Sequence, residues 1–191
     1  MVTKKEEKDF LKNYDSSKFE KLSVTSDIVI FSVSNTPTDN YRKLNTKDFS
    51  ILLIQRDYFP FKDDWALPGG FIDINESIED ATTRILELKN KKKNIYTEQL
   101  YTFGDVHRDP RTRVISVSHL SLIDKNKLKD KLSNNAKWFN ICTNEDGDTI
   151  KLSLKTDEIM LHIIAKQTNT DYKILKSDKI AFDHAKFILM G

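Results

Sequence analysis

Apolar residues recur along this chain with two spacings, and the change from one to the other marks its elements. Residues 26–33 (SDIVIFSV) form a β-branched apolar run, which predicts a buried strand. Residues 49–55 predict a second strand, the hairpin partner of the first, across a polar loop at 35–48 that contains Pro37. The spacing then shifts. Ile78, Ala81, Ile85 and Leu88 recur at helical intervals over 77–90, with Ser77 as N-cap and Asp80 as its acidic partner three residues on. Between strand and helix lies a loop carrying Tyr58, Phe59, Phe61 and Trp65, followed by Pro68, Gly69 and Gly70. That triplet predicts a tight turn that a Cβ would obstruct.

Further on, strands are predicted at 96–104, at 114–123 (VISVSHLSLI, a central strand) and at 136–141. Residues 149–154 and 158–164 predict a hairpin turning at 155–157, and 172–175 a further strand. Residues 178–190 read as a helix. The first 22 residues read as an amphipathic helical arm with Phe10, Leu11, Tyr14 and Phe19 on its apolar side, free to cover the domain or a second subunit.

Composition changes this picture little. The 191 residues suit one decorated domain, and 38% hydrophobic residues are enough for a real core. A net charge of +2, with acids and bases interspersed, argues against a surface directed at nucleic acid. Lys91, Lys92 and Lys93 read as a solvated helix end. The lone cysteine, Cys142, allows neither an internal disulfide nor a zinc cluster. No apolar run reaches membrane-spanning length, and the charged N-terminus lacks a signal-peptide core, so a cytoplasmic location is expected.

The stretch 51–90 carries the candidate chemistry. It resembles the box of the Nudix (MutT-like) hydrolases, in which Gly70, Glu76 and Arg84 stand at family places with the family's spacing, and Leu86 fits its apolar place. Ile85, Leu88 and Lys89 stand where that family has glutamates, and Lys91 where it has glycine. The resemblance implies an α/β/α sandwich with a mixed sheet over about 24–145. It also implies cleavage of a diphosphate linked to another moiety with Mg²⁺ or Mn²⁺. Hard cations need carboxylate oxygens on one helix face, which isoleucine, leucine and lysine do not supply. Glu76 and Glu87 are weak metal candidates, Asp73 and Asp80 are nearby carboxylates, and no cofactor is expected unless hydrolysis survives with Mg²⁺.

Two segments, QRDYFPFKDDWALPGGF and LYTFGDVHRDPRTRVISVSHL, narrow the resemblance. They are similar to the ADP-ribose pyrophosphatase-like branch and to Nudix-related transcriptional regulators of NAD metabolism. IAFDHAKFIL resembles the regulators' helix that leads into a winged helix-turn-helix; no winged domain is expected within these 191 residues, which would make the sequence either a Nudix-only relative or a fragment. The expected organisation is therefore an arm at 1–22, a Nudix domain at 23–145, and a β-hairpin extension with a helix at 146–191. DNA would be reached only through the winged domain, and a homodimer is expected from the branch and from the uncovered arm.

Three readings follow. One is a sensor or regulator domain that binds ADP-ribose, or a related nucleoside diphosphate derivative, with little or no hydrolysis. The alternative is an active hydrolase with a rearranged metal site, and the third an interaction protein on an inert scaffold. Expected ligand-binding residues are Arg56, Tyr58, Trp65, Gly69, Gly70, Lys89, Arg108, Arg111 and Arg113. Arginine forks suit phosphate oxygens, although a surface salt-bridge cluster is the commoner fate of such charges. Tyr58, Phe59 and Phe61 would wall the base or ribose, while Trp65 serves equally well as core and Phe103 reads as core. Lys89 either replaces part of the metal's charge or extends to solvent. His107 could touch phosphate; His119, His162 and His184 read as structural.

Overall fold

A computed structural model describes residues 4–36, 46–90, 95–125 and 132–191, with the side chains of all of these except 35, 36, 46, 47 and 88–90. Its centre is the long strand β1 (Ser23–Thr36), antiparallel to β2 (Thr46–Gln55) and parallel to β6 (Val114–Leu122), so the sheet is mixed. β5 (Thr97–Phe103) pairs with β6 at one edge. On the other side β2 pairs with β7 (Ala136–Asp146), which opens an antiparallel run through β8 (Thr149–Lys155), β9 (Met160–Gln167) and β10 (Tyr172–Ser177). The strand order is β10-β9-β8-β7-β2-β1-β6-β5. Two short strands sit off this path, β3 (Trp65–Ala66) on β2 and β4 (Gly69–Phe71) on β1.

The period-two geometry of strands explains why the middles of β1 (Ile28–Phe31) and β2 (Ile51–Leu53) are continuously apolar: both faces are buried there. Val29, Phe31, Ile51 and Leu53 point to one core, where α3 (His184–Met190) contributes Ala185, Phe187 and Ile188. Ile28, Ile30 and Leu52 point to the other, closed by Ile85 and Leu86 of α2 (Ile78–Asn90). Phe187 stacks on Phe103 with ring centroids 3.5 Å apart, and Trp65 meets Phe139 edge-on at 4.8 Å. This is the expected α/β sandwich with a mixed sheet.

Ser77 caps α2 as expected, its Oγ accepting from the Asp80 N–H at 3.0 Å. Other expectations need correction. Asn35 and Thr36 belong to β1, and Thr46, Lys47 and Asp48 to β2, because the hairpin stays in register to its Thr36–Thr46 pair; the rest of the expected loop, 37–45, lies outside the described residues. β7 runs on to Asp146, far past residue 141, because β8 pairs along its whole length. Gly69 and Gly70 form no turn but pair, in β4, with Asp27 and Ser26. The buried face of α2 is Ala81, Thr82, Ile85 and Leu86, while Ile78 is exposed. The C-terminal helix begins only at His184. Before it, Trp65 N–H donates to the Lys179 carbonyl and Ala181 N–H to the Trp65 carbonyl, both at 2.8 Å, so this segment zips onto β3 instead of coiling.

The N-terminal arm contains α1 (Lys4–Asn13) and a 3-10 turn at Ser16–Lys18, and neither buries a residue. Phe10, Leu11, Tyr14 and Phe19 are 52–64% exposed, so their apolar side does not cover this chain's own domain. Among the described residues, no helix is long and apolar enough to cross a membrane.

Candidate functional site

A cleft of about 80 Å³ opens where β1, β3, β4, the loop after β2, the loop after β5 and the start of α3 meet. Among the expected ligand residues it is lined by Arg56, Tyr58, Gly69, Gly70, Arg108 and Arg111. Gly69 and Gly70 belong to β4, while the arginines and Tyr58 come from the loops after β2 and β5, which the pairing of β1 with β2 and β6 brings together.

The arginines alternate with aromatic rings. The Arg56 guanidinium lies 4.6 Å from the Tyr58 ring centre and 4.8 Å from that of Phe182, and Arg111 lies 5.6 Å from Phe182 and 5.3 Å from Phe71. The run Tyr58–Arg56–Phe182–Arg111–Phe71 is thus a ladder of cation–π contacts, open to a flat ring or an anion. Phe182 holds its place at φ 54°, and Phe61 and Asp63 on the facing loop are also left-handed, at 58° and 69°. Such backbone costs of order 1–3 kcal/mol per residue and gathers at binding sites. Phe61 closes edge-on against Phe182, at 4.8 Å.

The three arginines differ in how far they are committed. Arg108 is buried and grips Asp183 with two bonds, at 3.0 and 2.8 Å. Arg111 grips the buried Asp109 in the same bidentate way, at 3.0 and 2.7 Å. That contact holds the Asp109 carboxyl below the ordinary carboxylate range and raises Arg111. Arg56 donates its Nε to the Pro60 carbonyl at 2.8 Å, but its Nη2 is buried without a hydrogen-bond partner. An unsatisfied buried donor is costly, and an acceptor entering the cleft would relieve it.

Other expected residues lie elsewhere. Trp65 is core, settling its two readings in favour of packing. Arg113 donates to the Gly104 carbonyl and is not part of the cleft lining. Phe59 is exposed and also stands outside it. Glu76 and Arg84 pair with each other, which lowers the glutamate and raises the arginine; Arg84 also donates to the Phe71 carbonyl at 3.0 Å, tying the middle of α2 to β4. The Lys89 side chain lies outside the described residues, as do those of Leu88 and 91–93. His107 is exposed. His162 bonds Asp178, and His119 lies between Ser26 and Thr82 with its basicity lowered by burial.

The cleft residues that were not foreseen include Asp27, Phe71, Asp109, Phe182 and His184. His184 has a structural contact, as expected, since its Nδ1 accepts the Leu67 N–H at 3.0 Å. It also faces the cleft. Burial lowers its basicity, although nearby Asp27 acts in the opposite sense.

A mixed sheet packed between helices, with a cleft lined by arginines and aromatic rings, defines an α/β sandwich protein. The pattern of the NUDIX domain matches residues 42–144, and the chain belongs to the Nudix family. It is 29% identical to the ADPR responsive transcriptional repressor NtrR of Acinetobacter baylyi, over 85% of this chain and 61% of the repressor. It is 39% identical to the ADP-ribose pyrophosphatase of Methanocaldococcus jannaschii, over 37% of this chain and 42% of that enzyme. The chain therefore spans about two fifths to three fifths of the length of these relatives. Among solved structures it resembles a MutT/nudix family protein from Enterococcus faecalis (28% identity, TM-score 0.68, all of this chain and 73% of that one). It also resembles the NUDIX domain of Shewanella oneidensis NrtR complexed with ADP ribose (32% identity, TM-score 0.53, 69% and 81% covered).

The family implies a divalent metal held by carboxylates. Here both Glu76 oxygens face Arg84, one also accepting the Asp73 N–H at 2.8 Å, and Ile85 is packed in the core under α2. Among the described residues, no three His, Cys, Asp or Glu side chains converge as a metal site would require. This donor set does not fit a hard divalent cation.

Proposed function

We propose that this chain binds ADP-ribose, or a related nucleoside diphosphate derivative, in the cleft and hydrolyses it little or not at all, as a sensor or regulator domain. The observation that carries the reading is the Arg56 Nη2, buried in a ladder of rings and guanidinium groups without a partner. A base or sugar ring can lie against Tyr58, Phe71 or Phe182 while a diphosphate oxygen takes the Arg56 donor. Arg111 adds a second fork if its grip on Asp109 is shared with the ligand. Two matched proteins whose names refer to ADP-ribose, the NtrR repressor and the NrtR domain bound to it, support the choice of ligand.

That no fitting carboxylate set occurs among the described residues supports binding over cleavage, since a hydrolase must hold metal and water together. The likeness to an ADP-ribose pyrophosphatase favours the alternative, an active enzyme with a rearranged metal site. A homodimer and a cytoplasmic location belong to the same reading; the exposed apolar side of the arm supports the first.

Calorimetric titration of ADP-ribose into wild type and Arg56→Ala tests this. A charge-assisted contact is worth about 1.5–3 kcal/mol, so the variant should bind at least about tenfold more weakly. Equal affinities would remove Arg56 from the site, and no binding by wild type would remove the ligand.

A further inference from the structure

Beneath the ladder the cleft has a polar floor made by Asp27 of β1 and His184 of α3. Their side chains are 10% and 5% exposed. The carboxylate is fixed on one side, where Oδ2 accepts from Thr25 Oγ1 at 3.0 Å and from Ser116 Oγ at 2.5 Å. The imidazole is fixed too. The Leu67 N–H donates to Nδ1, so in the neutral ring the proton sits on Nε2. Nε2 and Asp27 Oδ1 stand 3.9 Å apart, too far for a hydrogen bond.

A held acceptor and a held donor therefore stand side by side, facing the cleft and unused by each other. Gly69 is what leaves Oδ1 its room, because a Cβ there would lie 1.9 Å from it.

We propose that Asp27 and His184 are the specificity-determining pair of this cleft and take a sugar hydroxyl, that of the terminal ribose of ADP-ribose, between Oδ1 and Nε2; this rests on the nucleotide-binding reading above. A hydroxyl both donates and accepts, so one oxygen roughly 2.8 Å from each group satisfies both. Carboxylates take ribose hydroxyls in the same way in dinucleotide-binding folds. A phosphate oxygen only accepts, and the carboxylate repels it. The floor therefore orients the ligand: sugar inward, diphosphate outward at Arg56 and Arg111, base against the rings.

The test is titration of ADP-ribose, and of ADP as the same nucleotide without the second ribose, into wild type and Asp27→Asn. Wild type should bind ADP-ribose at least tenfold more tightly than ADP. Asp27→Asn should lose that preference through weaker ADP-ribose binding, with ADP bound no more weakly than by wild type. Equal wild-type affinities, or a variant that weakens both ligands alike, overturns this assignment alone. Failure of both nucleotides to bind wild type overturns the parent reading and this one together. If Asp27→Asn does not fold, wild type titrated with ADP-ribose lacking the terminal ribose hydroxyls carries the test. Binding tenfold weaker than that of ADP-ribose supports the pair, and equal affinity overturns it.

Discussion

Replacing Gly69 by alanine puts a methyl carbon where β4 lies against Asp27. Built on the existing backbone, that carbon stands 1.9 Å from Oδ1, 2.8 Å from Cγ and 3.0 Å from the Ser26 carbonyl oxygen. Two routes relieve the clash. Asp27 can swing away, but it then gives up Thr25 and Ser116, and hydrogen bonds to a charged group contribute about 1.5–3 kcal/mol each. Or β4 can lift from β1, at an overpacking cost of about 1–3 kcal/mol. The cheaper route sets the expectation of a loss of roughly 2 kcal/mol. Gly70→Ala is the internal control. Its added carbon meets Ile85 Cδ1 at 3.8 Å, an ordinary contact, so its stability should stay within about 0.5 kcal/mol of wild type or rise slightly through the unfolded chain. Urea unfolding of the three proteins, with m-values shown equal, measures both effects. If Gly69→Ala proves as stable as Gly70→Ala, the packing of β4 on Asp27 described above is wrong.

Restoring the family's glutamate alone, by Ile85→Glu, buries a carboxyl among Ile28, Ile30 and Leu52. It should cost at least about 2 kcal/mol in urea unfolding without creating a metal site, whereas a neutral result would mean that α2 is not seated as described. Stability should also depend on pH below neutrality. Burial lowers His119 and His184 from their ordinary 6.5, so the unfolded chain binds more protons in this range. Their contribution is whole above 6.5 and is lost as pH falls from there toward the depressed native values. Glu76 and Asp109, also lowered, add losses only below about 4.5 and 3.8, where the unfolded carboxylates begin to protonate. Urea midpoints that stay flat between pH 7 and pH 5 would contradict the burial of both imidazoles.

Much of the fold could be read from the chain because its signals are local. The apolar runs of β1 and β2 announce strands buried on both faces, and Ser77 announces the start of α2. The cleft was half legible. Arg56, Tyr58, Arg108 and Arg111 could be picked out from their segments, but their commitments could not. Arg108 finds Asp183 75 positions away, and nothing near Arg108 signals that its fork is taken. Asp27 sits inside a strand pattern, where a lone carboxylate looks like an interruption, and its hydrogen-bond partner Ser116 is 89 residues on. Phe182 and His184 were hidden for a different reason. The helical look of 178–190 gives no sign that Ile180 bridges to Trp65 of β3 or that Lys179 and Phe182 turn left-handed. The glycines misled in type but not in cause: a Cβ is obstructed at Gly69, by the neighbouring strand and not by a turn.

On the function proposed above, the cleft binds a nucleoside diphosphate sugar without needing a metal to hold it, and does not cleave it. Calorimetric titration of ADP-ribose in EDTA and again in Mg²⁺, with chromatography of the cell contents for AMP afterwards, tests this most directly. The expected result is the same affinity in both buffers and AMP at background. Binding that requires Mg²⁺, or AMP formed in step with added enzyme, would contradict it.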